Sequence, residues 1–255
     1  MHRLTACRVG LLLLLTALAV PATAQSIEVR DGADAVGFGL YSEFSTSELL
    51  TLNGYTAFSI AGTMDVGGYL GRVSETVNGV QGDSMTVGFV YNVIPIRQSE
   101  SIPISLQLRL TWGLTLVNRD VVVAELQDRF DDNGLPAEFD LETVDGTRSG
   151  YTLGAGISRD FALGGPYWLR LGADVEFRTA RSTYSAVFAV GDDDESDAPR
   201  VVGFRQTDLL YVPSAALSVR IPDGPVVTFG SRFWFDDGSN VVVRPELNLV
   251  WLRYQ

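Results

Sequence analysis

Residues 102–116 read IPISLQLRLTWGLTL, and the fold turns on how that line divides. Ile102, Ile104, Leu106, Leu108, Leu110, Trp112, Leu114 and Leu116 take the even places. Pro103, Ser105, Gln107, Arg109, Thr111, Gly113 and Thr115 take the odd ones. A period of two sends these sets to opposite faces of a β-strand, whereas a helix would smear them around its circumference. The same alternation recurs over 84–93, 151–160, 167–178, 208–221, 227–236 and 243–251. In the N-terminal third it is less regular and gives strands near 35–44, 54–62 and 66–74.

Two kinds of sheet generate such a pattern. A soluble barrel or sandwich hides its apolar face and wets the polar one. An outer-membrane barrel does the reverse, with apolar side chains toward lipid and polar ones lining the bore. The polar faces here are rich in Gly, Ser and Thr, punctuated by Arg, Asp and Glu, which suits a narrow bore crossed by ion pairs. The apolar faces are bulky and carry aromatics near strand ends: Trp112, Tyr151, Phe161, Tyr167, Phe177, Phe229 and Trp251. These are expected to face lipid, several of them in the interfacial girdles. Turning the sheet the other way would set Arg109 or Asp174 near mid-bilayer, where an arginine costs about 2–4 kcal/mol. The membrane orientation is therefore preferred, and a secreted soluble β-barrel binding protein is the distant alternative.

Connection lengths agree. Thr63–Asp65, Arg97–Ser101, Ala162–Pro166 and Pro222–Pro225 are short. Ser45–Asn53, Glu75–Asp83, Arg119–Ser149 and Gly191–Gln206 gather on the other side, with the short turn Asp237–Ser239. The expectation is an all-β, antiparallel up-and-down transmembrane barrel of about 10 strands, with 8 as the fallback because the count must be even. Both termini would then lie in the periplasm.

The N-terminus supports an exported protein. Arg3 and Arg8 precede an apolar run from Val9 to Val20, and Ala22-Thr23-Ala24 gives a small-x-small cleavage pattern. Residues 1–24 are expected to be a cleaved secretory signal peptide, and 25–255 a single outer-membrane barrel domain. The 255-residue chain has a net charge of −12, and all 19 of its cations are arginine. Its single histidine, His2, and single cysteine, Cys7, fall within the leader. Without it, histidine bases, thiol nucleophiles, Schiff-base lysines, disulfides and ordinary zinc sites lack their atoms. No cofactor or metal is expected, and the acidic balance argues against nucleic acid.

Leader, alternating strands, loop asymmetry and the closing residues Leu247, Leu249, Trp251 and Tyr254 together resemble the small bacterial outer-membrane β-barrel superfamily. Its single-domain members are typified by OmpX and the OmpA transmembrane domain. The likeness is architectural and spans nearly all of 25–255. It implies outer-membrane lipid as surroundings and the barrel-assembly machinery as the partner during biogenesis, although Gln255 follows the aromatic residue that usually ends the chain.

The candidate functional residues are the bore charges: Arg109, Asp160, Arg170, Asp174, Glu176, Arg178, Arg220, Arg232, Arg244 and Glu246. Asp160 and Arg170 flank a short turn that would set them opposite each other. The charges serve either as a polar core filling a narrow bore or as the lining of a narrow pore for ions or small solutes; the core is preferred. Asp174 and Glu176 share a face, yet Arg170 and Arg178 in the same row would hold both ionised, so acid–base catalysis is not expected and the protein is read as non-enzymatic. In the longest loop, Val122, Leu126 and Phe130 fall at helical spacing, giving either a lid over the mouth or an exposed loop. Asp131-Asp132-Asn133-Gly134 fails as a calcium loop, because Arg129 stands where the first acidic ligand belongs. The acidic run 191–197 reads as a solvated turn. Thr179–Val190 and Arg200–Asp208 continue the β pattern past the roughly 9–11 residues that cross a membrane. They are expected to form a hairpin above the outer leaflet, with an edge open to an extracellular partner.

Overall fold

The computed structural model describes residues 34–45, 50–132, 137–139, 144–190, 200–235 and 241–253. The expected leader and the acidic run 191–197 lie outside them. Ten strands close a barrel in simple up-and-down order. They are β1 (Asp34–Ser45), β2 (Leu50–Ile60), β3 (Met64–Val77), β4 (Val80–Ile96), β5 (Ser105–Leu116), β7 (Asp145–Gly164), β8 (Tyr167–Ala186), β10 (Arg200–Arg220), β11 (Val226–Phe235) and β12 (Val241–Arg253). Closure comes from β1 pairing antiparallel with β12, with Phe38 opposite Leu249, which leaves the ring without an end strand. Between β5 and β7 the chain forms a helix, α1 (Arg119–Asp132), and the three-residue strand β6 (Ala137–Phe139), which pairs with β9 (Phe188–Val190).

The barrel is inside-out relative to a soluble protein. Leu108 is 47% exposed while its neighbour Arg109 is 6% exposed. Leu171 at 45% and Asp174 at 6% repeat the contrast on β8. Aromatic rings mark two levels on the outer wall. Tyr151 and Phe161 on β7 are ten residues apart, as are Tyr167 and Phe177 on β8. At about 3.3 Å per residue and a tilt of about 40°, that separation is roughly 25 Å along the barrel axis, the height of a lipid-facing band. At the upper level the rings pair, Phe89 with Trp112 at 5.8 Å and Tyr151 with Phe177 at 6.4 Å.

The two ends differ. At one, β2–β3, β4–β5, β7–β8 and β10–β11 join through short segments; the other carries α1 and the longer excursions. Two sequence expectations are corrected at the long-loop end. The segment Glu75–Asp83 is not a loop: Glu75 pairs with Gly82 and Val77 with Val80, closing on Asn78-Gly79 at φ +51° and +80°. Asn-Gly supplies the left-handed pair that a tight hairpin turn needs. The second correction concerns the expected two-stranded hairpin, which is a three-stranded sheet. β7 begins at Asp145, opposite Ser185, and so covers β8 on its other side while β10 pairs from Arg200 opposite Ala186. The open edge belongs to β10, because β11 pairs only with Ser214–Arg220.

Candidate functional site

Inward parity brings eight charges together in mid-bore. Arg232 on β11 donates through one Nη to both Asp174 and Glu176 on β8, at 2.5 Å each. Arg109 on β5 adds its charge at 3.5 Å from Glu176 and 3.8 Å from Asp174. Arg178 reaches back along β8 to the other oxygen of Glu176 at 2.7 Å. Gln107 donates to the remaining oxygen of Asp174 at 2.7 Å. Across the bore, Arg244 on β12 is forked onto Glu43 of β1, and Glu246 lies buried on the same strand. Two of these cations also lie on aromatic faces: Arg178 sits 4.4 Å from the Trp234 ring, and Arg244 contacts both Tyr41 and Trp234. Four guanidiniums thus pair with Asp174, Glu176 and Glu43 beside the buried Glu246, which offsets most of the charge that a low-dielectric bore would otherwise penalise.

The belt has the character of a plug. Arg232, Glu176 and Glu246 are each 1% exposed. Asp174 and Glu176 are both held by Arg232 and Arg109, so neither is a free carboxylate base of the kind acid–base chemistry needs. Among the described residues no three carboxylate, histidine or cysteine side chains converge as a metal site requires.

The short-turn end is filled separately. Asp160 and Arg170 stand opposite each other across the β7–β8 turn and form a two-pronged pair at 2.8 and 2.9 Å. Buried Asn92 donates to buried Asp65 at 3.1 Å. Arg220, expected in the bore, is exposed instead. It is the last residue of β10, where the barrel opens, and its backbone N–H donates to the Pro166 carbonyl at 3.0 Å.

Above the belt lies a cavity of about 250 Å³, bordered by Glu43, Tyr69, Thr152, Arg178 and Arg244. α1 closes over it. Val121, Val122 and Leu126 are buried with Val117, Val144, Tyr184 and Ala186. The helix fits because the wall beneath it is bare: a Cβ on Gly82 would meet Val121 at 2.6 Å, and one on Gly146 would meet Val122 at 2.4 Å. One arginine fastens the cap. Arg148 on β7 donates to both oxygens of Glu75 at 3.0 Å and to Glu125 of α1 at 3.4 Å. The Tyr184 hydroxyl also donates to Glu125. Burial works against the Arg148 cation, but the attraction of Glu75, Tyr184 and Glu125 outweighs it and holds its pKa above the ordinary arginine value. Burial, followed by the Glu125 hydrogen bond, pushes the Tyr184 phenol up as well.

Sequence parity selected most of the belt and all seven outer aromatics, each of which is at least 37% exposed. It missed Glu43, Glu75, Arg148 and Tyr184. Glu43 occupies an inward place on β1, where the alternation is weak. The other three lie in stretches expected to be loop or protruding hairpin, so their parity was not carried into the bore.

No family model matches the chain, and no curated protein matches it in sequence. Solved structures do. The translocator domain of the autotransporter NalP from Neisseria meningitidis is similar at 8% identity and a TM-score of 0.52, covering 98% of this chain and 96% of that one. The attachment invasion locus protein Ail of Yersinia pestis gives 11% identity and a TM-score of 0.39 over 86% of this chain and 97% of that one. Neisserial surface protein A gives 10% and 0.34 over 87% and 96%. The fold is that of bacterial outer-membrane β-barrels.

Proposed function

We propose that the chain is a non-enzymatic outer-membrane barrel whose bore is closed by its own side chains, and that it acts at the cell surface. The short-turn end and both termini face the periplasm; the long-loop end faces outward. The observation that carries this reading is the buried belt of four arginines and four carboxylates across the bore, with α1 packed nearer the long-loop end. A conducting bore needs a continuous wet path and sites weak enough to release an ion. Here Asp174, Glu176 and Glu43 are spent on the mid-bore guanidiniums.

The surface role is supported by strand length. β7, β8 and β10 run for 20, 20 and 21 residues, about twice what a bilayer crossing takes. The excess stands above the upper aromatic level as a sheet. Its β10 edge, from Arg200 to Asp208, has no partner strand among the described residues. Such an edge offers backbone donors and acceptors to an extended segment of an extracellular partner.

Recording from the pure protein in planar bilayers tests the closed bore. No steady conductance is expected; a stable, ion-selective current would replace this reading with that of a narrow pore for ions or small solutes.

A further inference from the structure

Just above the upper aromatic level, on the outer wall, two arginines are set directly opposite each other. Arg181 on β8 pairs in register with Arg205 on β10, and both side chains are exposed. Like charges in facing positions destabilise a sheet unless something sits between them. Among the described residues no carboxylate bonds either one. Arg205 Nε donates to the Thr179 hydroxyl at 3.4 Å, a hydroxyl that also contacts the Gln206 carbonyl and Thr207. That contact leans the Arg205 side chain toward Thr179, which stands opposite Tyr151. Between the two strands and β5 lies a groove of about 410 Å³, whose walls include Trp112, Tyr151, Thr179, Arg181 and Arg205.

Height identifies what meets this pair. Arg181 lies four residues beyond Phe177 on the same strand, roughly 10 Å along the barrel axis at the usual rise and tilt. Tyrosine and tryptophan rings mark the headgroup level of a bilayer. Long arginine side chains at that height reach the plane of the lipid phosphates. A guanidinium binds a phosphate through two parallel N–H donors, and two facing guanidiniums can clamp one phosphate from both sides. On a chain of net charge −12, a pair of bare cations at this place stands out.

We infer that Arg181 and Arg205 form a clamp for the phosphate of a phosphorylated glycolipid in the outer leaflet, with the sugar and upper acyl chain lying along Trp112 and Tyr151. The clamp rests on the outward orientation of the long-loop end proposed above, but is independent of whether the bore conducts.

Native mass spectrometry of the intact protein in detergent tests it, with bisphosphorylated lipid A, its dephosphorylated form and inorganic phosphate as probes. Retention of the phosphorylated lipid is expected, and Arg181→Gln or Arg205→Gln should each weaken it on the order of tenfold, the size of a lost charge-assisted contact. Arg159→Gln, which removes an outward arginine near the opposite rim, should leave binding unchanged. Heat-dependent gel mobility shows that each variant is folded. Equal retention of the dephosphorylated lipid, or no effect of the clamp variants, overturns the inference. Equally tight binding of inorganic phosphate overturns the lipid assignment in favour of a free anion. Because binding is read in detergent, it does not depend on orientation. Thiol labelling of a Thr183→Cys variant on intact cells tests that separately, and labelling only after the outer membrane is breached would overturn the outward reading.

Discussion

The belt and the cap occupy the same bore by opposite means. In the belt, strands β1, β5, β8, β11 and β12 each contribute charges that have no stable place except against one another. In the cap, α1 is held by a small apolar cluster, by Arg148 and Tyr184 on Glu125 and by Asn78 on Asp128, and the helix's own residues are neighbours in sequence. An ion pair taken out of water gains little over well-packed apolar residues, yet is costly to break, because the survivor is left buried and unpaired. A helix resting on glycines can lift without any such residue of charge. The belt should therefore behave as part of the fold, and the cap as a part that can be detached.

The sharpest test of that contrast is Arg232→Met. It removes the guanidinium shared by Asp174 and Glu176, and should cost about 3–5 kcal/mol, read as a lower denaturant midpoint for the heat-modifiable band. If the barrel is as stable as before, the belt is not structural. Next comes Gly146→Val, whose Cβ would stand 2.4 Å from Val122 and 2.9 Å from Tyr184. Overpacking of this kind costs about 1–3 kcal/mol, spent here on lifting α1. The barrel should still migrate as folded, while a cysteine placed at Thr152, on the cavity wall, should react with a thiol reagent on the order of tenfold faster. Unfolding of the whole barrel would show that the cap is no separate unit.

A smaller effect is expected within the belt from Glu246→Gln. Neither oxygen of Glu246 accepts a hydrogen bond among the described residues. An amide of the same shape should cost less than about 2 kcal/mol, clearly below Arg232→Met by the same midpoint measurement. The smallest change concerns the cap at high pH. Tyr184 has a folded pKa above the ordinary 10.0, through burial and its bond to Glu125. Its contribution is present in full below pH 10 and is lost as the pH rises through the folded value. Phenolate absorbance should show a late-titrating component that Tyr184→Phe removes.

The legibility of the molecule follows the same division. On β5, β7, β8 and β12 the alternation placed Arg109, Asp160, Asp174, Glu176 and Arg244 on the inner face, and Asp160 with Arg170 followed from the turn between them. At the long-loop end the pattern was less readable. The Asn78-Gly79 turn was a signal available in the sequence, and carrying β3 and β4 up to it puts Glu75 inside. α1 was one of two readings of its loop, since Val122 and Leu126 at helical spacing do not say what the helix rests on. Val121, equally buried, belongs to no simple stripe and is explained by the gap above Gly82.

The order of residues along the chain determined which side of the sheet each side chain occupies, because successive positions in an extended backbone must point in opposite directions. That rule acts between immediate neighbours and needs no knowledge of the rest of the molecule. The tertiary structure alone decided which charges meet. Arg232 lies 58 residues from Asp174, and Arg244 lies 201 residues from Glu43. Such partners are set by strand register and by the closure of β1 on β12, where one step of slip would turn every inward charge out toward lipid.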